Sequence, residues 1–433
     1  MDALLWARPA GDPHPPLDGE QGADLSIVGG GYTGLLAALA IRARHPSRRI
    51  VLLEAGVCGD GASGRNAGMA VPGATFDLDG LEGLLGTERA RAAVAWLAEG
   101  PRRVASTARR LGIPDAVEET GSLSLARTAR HQRAQHELLP VYRRLGVDAE
   151  VLDTAATRRA IASPLYRSAF HVPQGVVLVE PGRLVAALRE AVTAAGVTIH
   201  ENTPVTAIDA GNPIRLTTPR GRLTAPAMIL AANAWAPRLG FFRNRVAPVH
   251  VACVATAPLD PALRAALAWP GRQAAWEEGR VYHFLRLTPD DRVLIGGGGG
   301  AYVAGDGIDY HDGPVDFRRL AAALVRIFPV LAGVPVTHRW TGPIGFARDF
   351  LPSIGATGPH RNIYYSVGYT GHGVALSHLA ADVIAALYSG EPPPEAARFL
   401  VDRRFPWLLA GPLKWFAIHA VRNGWMALDR LGF

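Results

Sequence analysis

Residues Leu25 to Glu54 read LSIVGGGYTGLLAALAIRARHPSRRIVLLE, and this stretch decides the fold. Leu25 to Val28 is a short apolar run of the kind a buried strand shows. Gly29, Gly31 and Gly34 then give G-x-G-x-x-G. Leu35 to Arg44 carries apolar residues at helical spacing, and Ile50 to Leu53 is a second apolar run closed by Glu54. The first glycine permits a tight turn, the second lets backbone approach a pyrophosphate, and the third lets helix lie close on strand. Tyr32 and Thr33 stand at the helix N-terminus, where unpaired N–H groups can meet phosphates. Glu54, followed by Ala55, can take both hydroxyls of an adenosine ribose. The complete unit predicts dinucleotide binding rather than a glycine-rich turn in an ordinary α/β protein.

Two further stretches extend this pattern. GASGRNAG (Gly61 to Gly68) follows the second strand directly. Its small residues, with the polar pair Arg65 and Asn66 in the middle, predict backbone passing close to a cofactor, and a flexible surface loop is the bland alternative. NIYYSVGYTGHG (Asn362 to Gly373) precedes an apolar helical pattern from Val374 to Leu387. It repeats the strand, glycine turn and helix, so a second helix N-terminus at Gly371, His372 and Gly373 is expected to face a ligand.

The rest of the chain is read in order. Residues 1–23 are an irregular lead-in, and 76–112 read as a helix. Residues 121–126 and 169–173 read as strands, and His131 to Leu145 as a helix with His131 and His136 solvated. Pro181 opens a helix from Glu180 to Ala195. Val197 to His200 is a strand, Glu201 to Val205 leads into another, and 208–223 is a hairpin. The Met228 to Pro237 run ends in Ala231, Ala232 and Asn233, with Trp235 beyond, and small residues there suit a ligand at a sheet edge. Residues 246–256 and 281–298 are longer strands, and Gly296 to Gly300 is a close-approach or hinge candidate. Asp316 to Phe328 is a helix and Arg339 to Ile344 a strand. In the tail, Leu413, Ala417, Ala420, Val421, Gly424, Trp425 and Leu428 share one helical stripe, with Lys414, Arg422 and Asp429 elsewhere. A terminal helix docked on its own protein is expected, and a Trp-rich helix lying on a membrane is the alternative.

Length and composition set bounds. A chain of 433 residues implies two domains. The net charge of +7 comes from dispersed arginines, with Lys414 the only lysine, which is weak ground for nucleic-acid binding. Cys58 and Cys253 form neither a disulfide framework nor a metal-ligand spacing. The N-terminus shows no signal peptide and no stretch reads as a membrane span, so the expected setting is cytoplasmic.

Taken together, VGGGYTG, LLEAG, GASGRNAG, RLTPDDRVLIGGG (Arg286 to Gly298), the WTG at Trp340 to Gly342, NIYYSVGYTGHG and the closing DRLGF resemble the FAD-dependent D-amino acid oxidase-like superfamily. Within it, the γ-glutamylputrescine oxidase branch is the most similar. The resemblance implies an α/β fold: a discontinuous Rossmann-like FAD-binding domain (20–80, 175–240 and 336–395) and an α+β substrate domain (81–174 and 241–335) with a large mixed or antiparallel sheet. Residues 396–433 form a helical tail. It further implies that Gly29, Gly31 and Gly34 hold the pyrophosphate and Glu54 the ribose. Ser63, Arg65, Asn66, Ala67 and Gly68 would lie by the flavin and Val205 by the adenine. Ala232, Trp235 and Gly342 join this set, and Gly371, His372, Gly373 and Val374 meet the pyrimidine end of the ring. Neither cysteine sits in the 340–354 segment used by cysteine-linked relatives, so non-covalent FAD is expected.

The implied chemistry is oxidation of a C–N bond in an amine or amino acid, carried by the cofactor. An aromatic pocket favours a neutral amine. Trp276, Tyr282, Phe284, Trp340 and Tyr369 are its candidates, and each could equally be core. Arg286 is the candidate partner for a substrate carboxylate, with a structural salt bridge as the alternative. His283, His372 and Tyr369 are further catalytic candidates. Oxygen is the expected acceptor. A dehydrogenase using a quinone or protein acceptor at a membrane surface competes, as does a binding protein that keeps FAD for structure. An NAD-dependent dehydrogenase has no use for GASGRNAG or the second glycine turn. The oligomeric state is open.

Overall fold

A computed structural model describes residues 4–7, 11–74, 78–308 and 315–431. Gly432 and Phe433 of the closing motif, and the start of the expected 76–112 helix, lie outside them. The strands that build the site are Leu25–Val28 (β1), Ile50–Leu53 (β2), Thr198–His200 (β3), Met228–Leu230 (β4), Val246–Thr256 (β5), His283–Leu287 (β6), Val293–Gly297 (β7), Val336–Ala347 (β8), Ser353–Thr357 (β9) and Ile363–Val367 (β10). The helices are Tyr32–Arg44 (α1), Thr87–Arg110 (α2), Gly373–Tyr388 (α3) and Gly411–Leu431 (α4).

One sheet runs β3-β2-β1-β4-β10-β9. Its pairs are parallel, Leu25 opposite Ile50 and Met228 opposite both Ser26 and Ile363, until β9 closes it antiparallel to β10. β1 and β2 are buried at every residue, as parallel strands covered on both faces are. α1 buries Leu35, Leu36, Ala37, Ala38 and Ile41 against this sheet, and α3 is buried through most of its length. Gly100 of α2 lets α3 approach, since a Cβ there would stand 3.1 Å from Ala375.

A second sheet has nine strands and is mixed. β8 pairs with β5 antiparallel from Val246 opposite Ala347 to Thr256 opposite Val336. β5 also pairs with β7, and β7 with β6, both antiparallel. The architecture is therefore the expected α/β fold with a large mixed sheet. The 336–395 segment divides between the two sheets, because β8 belongs to the large one and β9 and β10 to the parallel one.

Several local expectations change. The 76–112 helix is broken at Gly86, whose φ of 75° a helix cannot continue, into Leu78–Leu85 and α2. The lead-in is not wholly irregular, because Gly19–Gly22 pairs parallel with 221–224. Residues 201–206 form no strand. Instead Glu201 is fully buried, paired with Arg189 at 2.7 Å, and accepts the Cys58 N–H. His131 is half-buried rather than solvated, while His136 is exposed.

The tail departs most. α4 docks through the residues assigned to its polar side. Lys414 is buried with Nζ 2.6 Å from Asp306, and Asp429 accepts the Val281 N–H at 2.8 Å. These two clasps fix the helix at both ends. They leave Leu413 and Leu428 of the expected stripe exposed, together with Phe416, while Ala417, Val421 and Trp425 of that stripe line the cavity described below.

Candidate functional site

The two glycine turns line one cavity of 2490 Å³. That is larger than an ordinary small-molecule site of about 300–1,000 Å³, and leaves room for a dinucleotide and a second molecule. Gly29, Gly31, Tyr32, Thr33, Glu54, Ala55, Val205 and Ala232 line one end. Ser63, Arg65, Asn66, Ala67, Trp235, Gly342, Gly371, His372, Gly373 and Val374 continue the wall. The first turn is built for backbone approach. Gly29 has φ 112°, and a Cβ on it would stand 2.6 Å from the Ala231 carbonyl. A Cβ on Gly31 would reach the Ser63 hydroxyl at 2.8 Å. Gly34 does not line the cavity. It lets α1 pack on the turn, because a Cβ there would collide with the Gly29 carbonyl. α1 starts at Gly31 with no side-chain cap. Such an N-terminus suits an anion.

Glu54 shapes the adjoining loop. Its Oε2 accepts the Gly30 N–H at 2.7 Å and its Oε1 the Gly56 N–H at 2.9 Å. Burial pushes this carboxyl above the ordinary range, and the two N–H groups oppose the shift. Each oxygen keeps a lone pair for a further donor such as a ribose hydroxyl. The Gly61 to Gly68 loop is self-organised. Asn66 donates to the Ala62 and Ser63 carbonyls and accepts from Gly68, while Ser63 Oγ accepts the Tyr32 N–H at 2.9 Å. Arg65 donates to the Asp60 carbonyl at 2.8 Å.

The second turn is tied to the first by a hydrogen bond between Tyr369 and Thr33 hydroxyls at 2.8 Å. Tyr369 is buried, and burial lifts its phenol to about 12. His372 caps α3 without a side-chain bond, and its Nδ1 is a buried atom with no protein partner. Burial lowers its pKa to about 4, so the ring is neutral at physiological pH. An uncapped helix start and an orphaned ring nitrogen on one cavity wall fit the polar edge of a bound ring system. Together with the glycine cradle, they make the residues present a fit for a flavin dinucleotide.

The large sheet lines the same cavity, and the second turn is joined to it where the Thr370 N–H donates to the Gly345 carbonyl of β8 at 3.0 Å. Ala247, Val249, Val251 and Cys253 of β5 line the cavity at every second position, as do Gly342, Ile344 and Phe346 of β8. Phe284 and Gly297 complete this apolar face. The sequence marked β5 and β8 as strands and gave Trp340 and Gly342 of β8 to the site, but it did not place the side chains of β5, Ile344 or Phe346 there. The alternation of small and branched residues over 247–253 was the available signal. Trp276, Tyr282 and Tyr369 also line the cavity, whereas Trp340 is core, its indole donating to the Arg65 carbonyl at 2.8 Å.

Two candidates take other roles. Arg286 is buried outside the cavity lining, and its Nη1 donates to the Gly68 and Val179 carbonyls, both at 2.8 Å. Burial lowers its pKa to about 10. It is a strut that fixes the GASGRNAG loop, and with its donor fork turned to backbone it does not face a substrate carboxylate. Gly68 likewise lies outside the lining and serves as Arg286's acceptor. His283 also lies outside the lining, with Nδ1 2.6 Å from the buried Glu277 carboxylate.

The comparisons agree with this geometry. The family described as FAD dependent oxidoreductase matches residues 24–387. The chain belongs to this family. Gamma-glutamylputrescine oxidoreductase from Escherichia coli (strain K12) is 33% identical over 375 residues, covering 85% of this chain and 84% of the relative. Glycine oxidase from Geobacillus kaustophilus (strain HTA426) is 28% identical, covering 84% of this chain and 92% of that one. The crystal structure of glycine oxidase from Geobacillus kaustophilus superposes with a TM-score of 0.70 at 24% identity, covering 89% of this chain and all of that one. L-amino acid deaminase from Proteus myxofaciens, in complex with anthranilate, gives a TM-score of 0.73 at 15% identity over 93% of this chain and 97% of that one. The protein is an FAD-dependent oxidoreductase. α4 lies beyond the matched segment.

Proposed function

We propose that the chain oxidises the C–N bond of a small-molecule amine, with oxygen as final acceptor. The observation that carries this reading is the apolar β5 and β8 face that lines the same cavity as the second glycine turn. FAD, which the first glycine turn, Glu54 and the Gly61 to Gly68 loop would hold, would supply the two-electron chemistry at the carbon next to the amine nitrogen. The chain's own part is placement and electrostatics. The apolar face penalises an ammonium and so favours the neutral amine. The N-terminus of α3 favours negative charge near Gly373. Neutral His372 positions rather than charges. The imine product leaves the apolar face and meets water, which yields a carbonyl compound and the released amine or ammonia.

FAD is held non-covalently in this reading. Burial keeps the Cys253 thiol protonated at about 12, and the buried Cys58 is pushed up as well, so neither offers a thiolate. Two buried free thiols also suit a cytoplasmic setting.

The second reading, electron delivery to a quinone or protein acceptor at a membrane surface, is favoured by one observation. α4 and the segment before it expose Trp407 at 53%, Leu413 at 63% and Phe416 at 63%. No helix among the described residues is long and apolar enough to cross a membrane.

The deciding experiment is anaerobic addition of amines, including γ-glutamylputrescine, putrescine and glycine, to the yellow holoenzyme. Loss of the flavin band that air restores supports the oxidase. Bleaching that only a quinone reverses supports the second reading. No bleaching with any amine overturns both.

A further inference from the structure

We infer that Arg422, on the tail helix, receives the carboxylate of a chain-like amine substrate whose reacting amine end lies on the apolar sheet face. This rests on the amine-oxidising reading above and adds the substrate class, an ω-amino carboxylate.

The argument starts from where charge stands. The cavity face of β5 and β8 carries no ionisable group except the protonated Cys253 thiol. A carboxylate one carbon from the reacting atom would stand there without a partner, at a large desolvation cost. Arg286, on β6 of the same sheet, is committed to backbone carbonyls. A negative charge on the substrate must therefore be met farther along the cavity. α4 forms that part of the wall with Ile418, Val421, Arg422 and Trp425.

Arg422 is suited to the task. Its guanidinium donates only to the Gly300 carbonyl at 3.3 Å and to Asn423 Oδ1 at 3.2 and 3.3 Å. These sit at or beyond the long end of the range, and five N–H donors are available. Among the described residues no carboxylate forms an ion pair with it. Burial lowers its pKa, and Arg319 adds to the shift, so an anion at this site relieves a penalty. Five other arginines among the described residues line the cavity: Arg65 donates to the Asp60 and Thr341 carbonyls, Arg102 and Arg280 pair with Glu99 and Asp429, and Arg238 and Arg348 are exposed, Arg348 donating to the Trp407 carbonyl. One planar guanidinium matches one carboxylate in charge and in shape.

The position is built. Gly299 lies against the helix, where a Cβ on it would be in contact with Met426 at 3.6 Å and Arg422 at 3.8 Å. The other glycines of the 296–300 run approach Phe284, Tyr282, His283 and Val249 instead. The Lys414 and Asp429 clasps hold the helix in place, and Trp425 stacks on Phe350 at 5.9 Å between centroids.

The test has two arms on the FAD-loaded enzyme. In the first, unreactive straight-chain carboxylates from butanoate to decanoate are titrated by calorimetry into the wild type, Arg422→Met, Arg422→Lys and Arg348→Met. Expected is a best-fitting chain length whose Kd rises about 10-fold or more in Arg422→Met. Arg422→Lys recovers part of the loss, and Arg348→Met leaves it unchanged. In the second arm, ω-amino acids are compared with alkylamines of equal length in anaerobic bleaching. Arg422→Met is expected to raise the half-saturating concentration for the acids alone. Equal carboxylate binding by the wild type and Arg422→Met, or a loss in Arg348→Met instead, overturns the assignment. Failure of every amine to bleach, while carboxylate binding still requires Arg422, overturns the amine reading and leaves an anion site.

Discussion

The two ends of the cavity recognise by different means. At the nucleotide end, contact is offered by backbone, and the side chains present (Glu54, Ser63 and Asn66) mostly hold loops in shape. At the substrate end, contact is offered by side chains from two long strands and from a helix outside the matched family segment. A backbone site needs glycines at fixed spacing and tolerates little change. A side-chain site can be rewritten one residue at a time. The nucleotide end is accordingly the rigid part of the design, and the substrate end is where specificity can vary.

The sharpest way to break this contrast is at Gly34. Gly34→Ala puts a Cβ into the Gly29 carbonyl, which is backbone and cannot swing away. The expected outcome is purified protein that retains almost no FAD, read as the ratio of flavin to protein absorbance. Retention at the wild-type ratio would show that the turn is more yielding than its packing implies. Arg286→Met comes next. It removes charged hydrogen bonds to the Gly68 and Val179 carbonyls, each worth about 1.5–3 kcal/mol. A fall in Tm of roughly 5 °C or more is expected, larger when FAD is absent. A variant with unchanged Tm but a raised KM would return Arg286 to the substrate. Glu54→Gln is milder. One carboxylate oxygen that accepts the Gly30 or Gly56 N–H becomes an NH2 group, so one acceptor is lost. The Kd for FAD is expected to rise about 10-fold, measured by fluorescence on reloading the apoprotein.

The same contrast explains what the sequence could reveal. The nucleotide end is local: β1, the turn, α1, β2 and Glu54 fall within thirty residues, and each has its own signature. The second turn was equally legible. What escaped was set by pairing across the chain. Val251 meets Gly342 across the ladder, and nothing in either stretch announces which face the cavity will use. Arg286 looked like a substrate residue because a buried arginine needs an anion or acceptors, and its acceptors lie on segments more than a hundred residues away. The tail misled for the opposite reason. Its hydrophobic stripe was real, but Asp306 and the 280–281 backbone outweighed it in orienting the helix. Burying Lys414 unpaired would cost more than leaving Leu413 and Phe416 wet.

The smallest effect expected concerns the body of α3, behind the N-terminus that faces the cavity. His378 is buried, donates Nδ1–H to the Val374 carbonyl at 3.0 Å, and has Nε2 without a partner. Its ring lies 6.5 Å from that of Tyr32, so it packs the two glycine-turn helices together. Burial lowers its pKa to about 4, from 6.5 in the unfolded chain. Between these values the unfolded chain binds a proton that the folded chain refuses. Stability therefore falls as pH drops from 6.5 towards 4 and is unaffected by this group above that window, with an upper bound of about 3 kcal/mol. His372 titrates with the same sign at the cavity wall. His378→Gln keeps a polar group and removes one titration, so its Tm should decline less steeply than the wild type between pH 6.5 and 4.5. Parallel Tm profiles for the wild type and His378→Gln would mean that the ring is protonated in the folded chain, and that α3 is less tightly packed behind the cavity than its burial indicates.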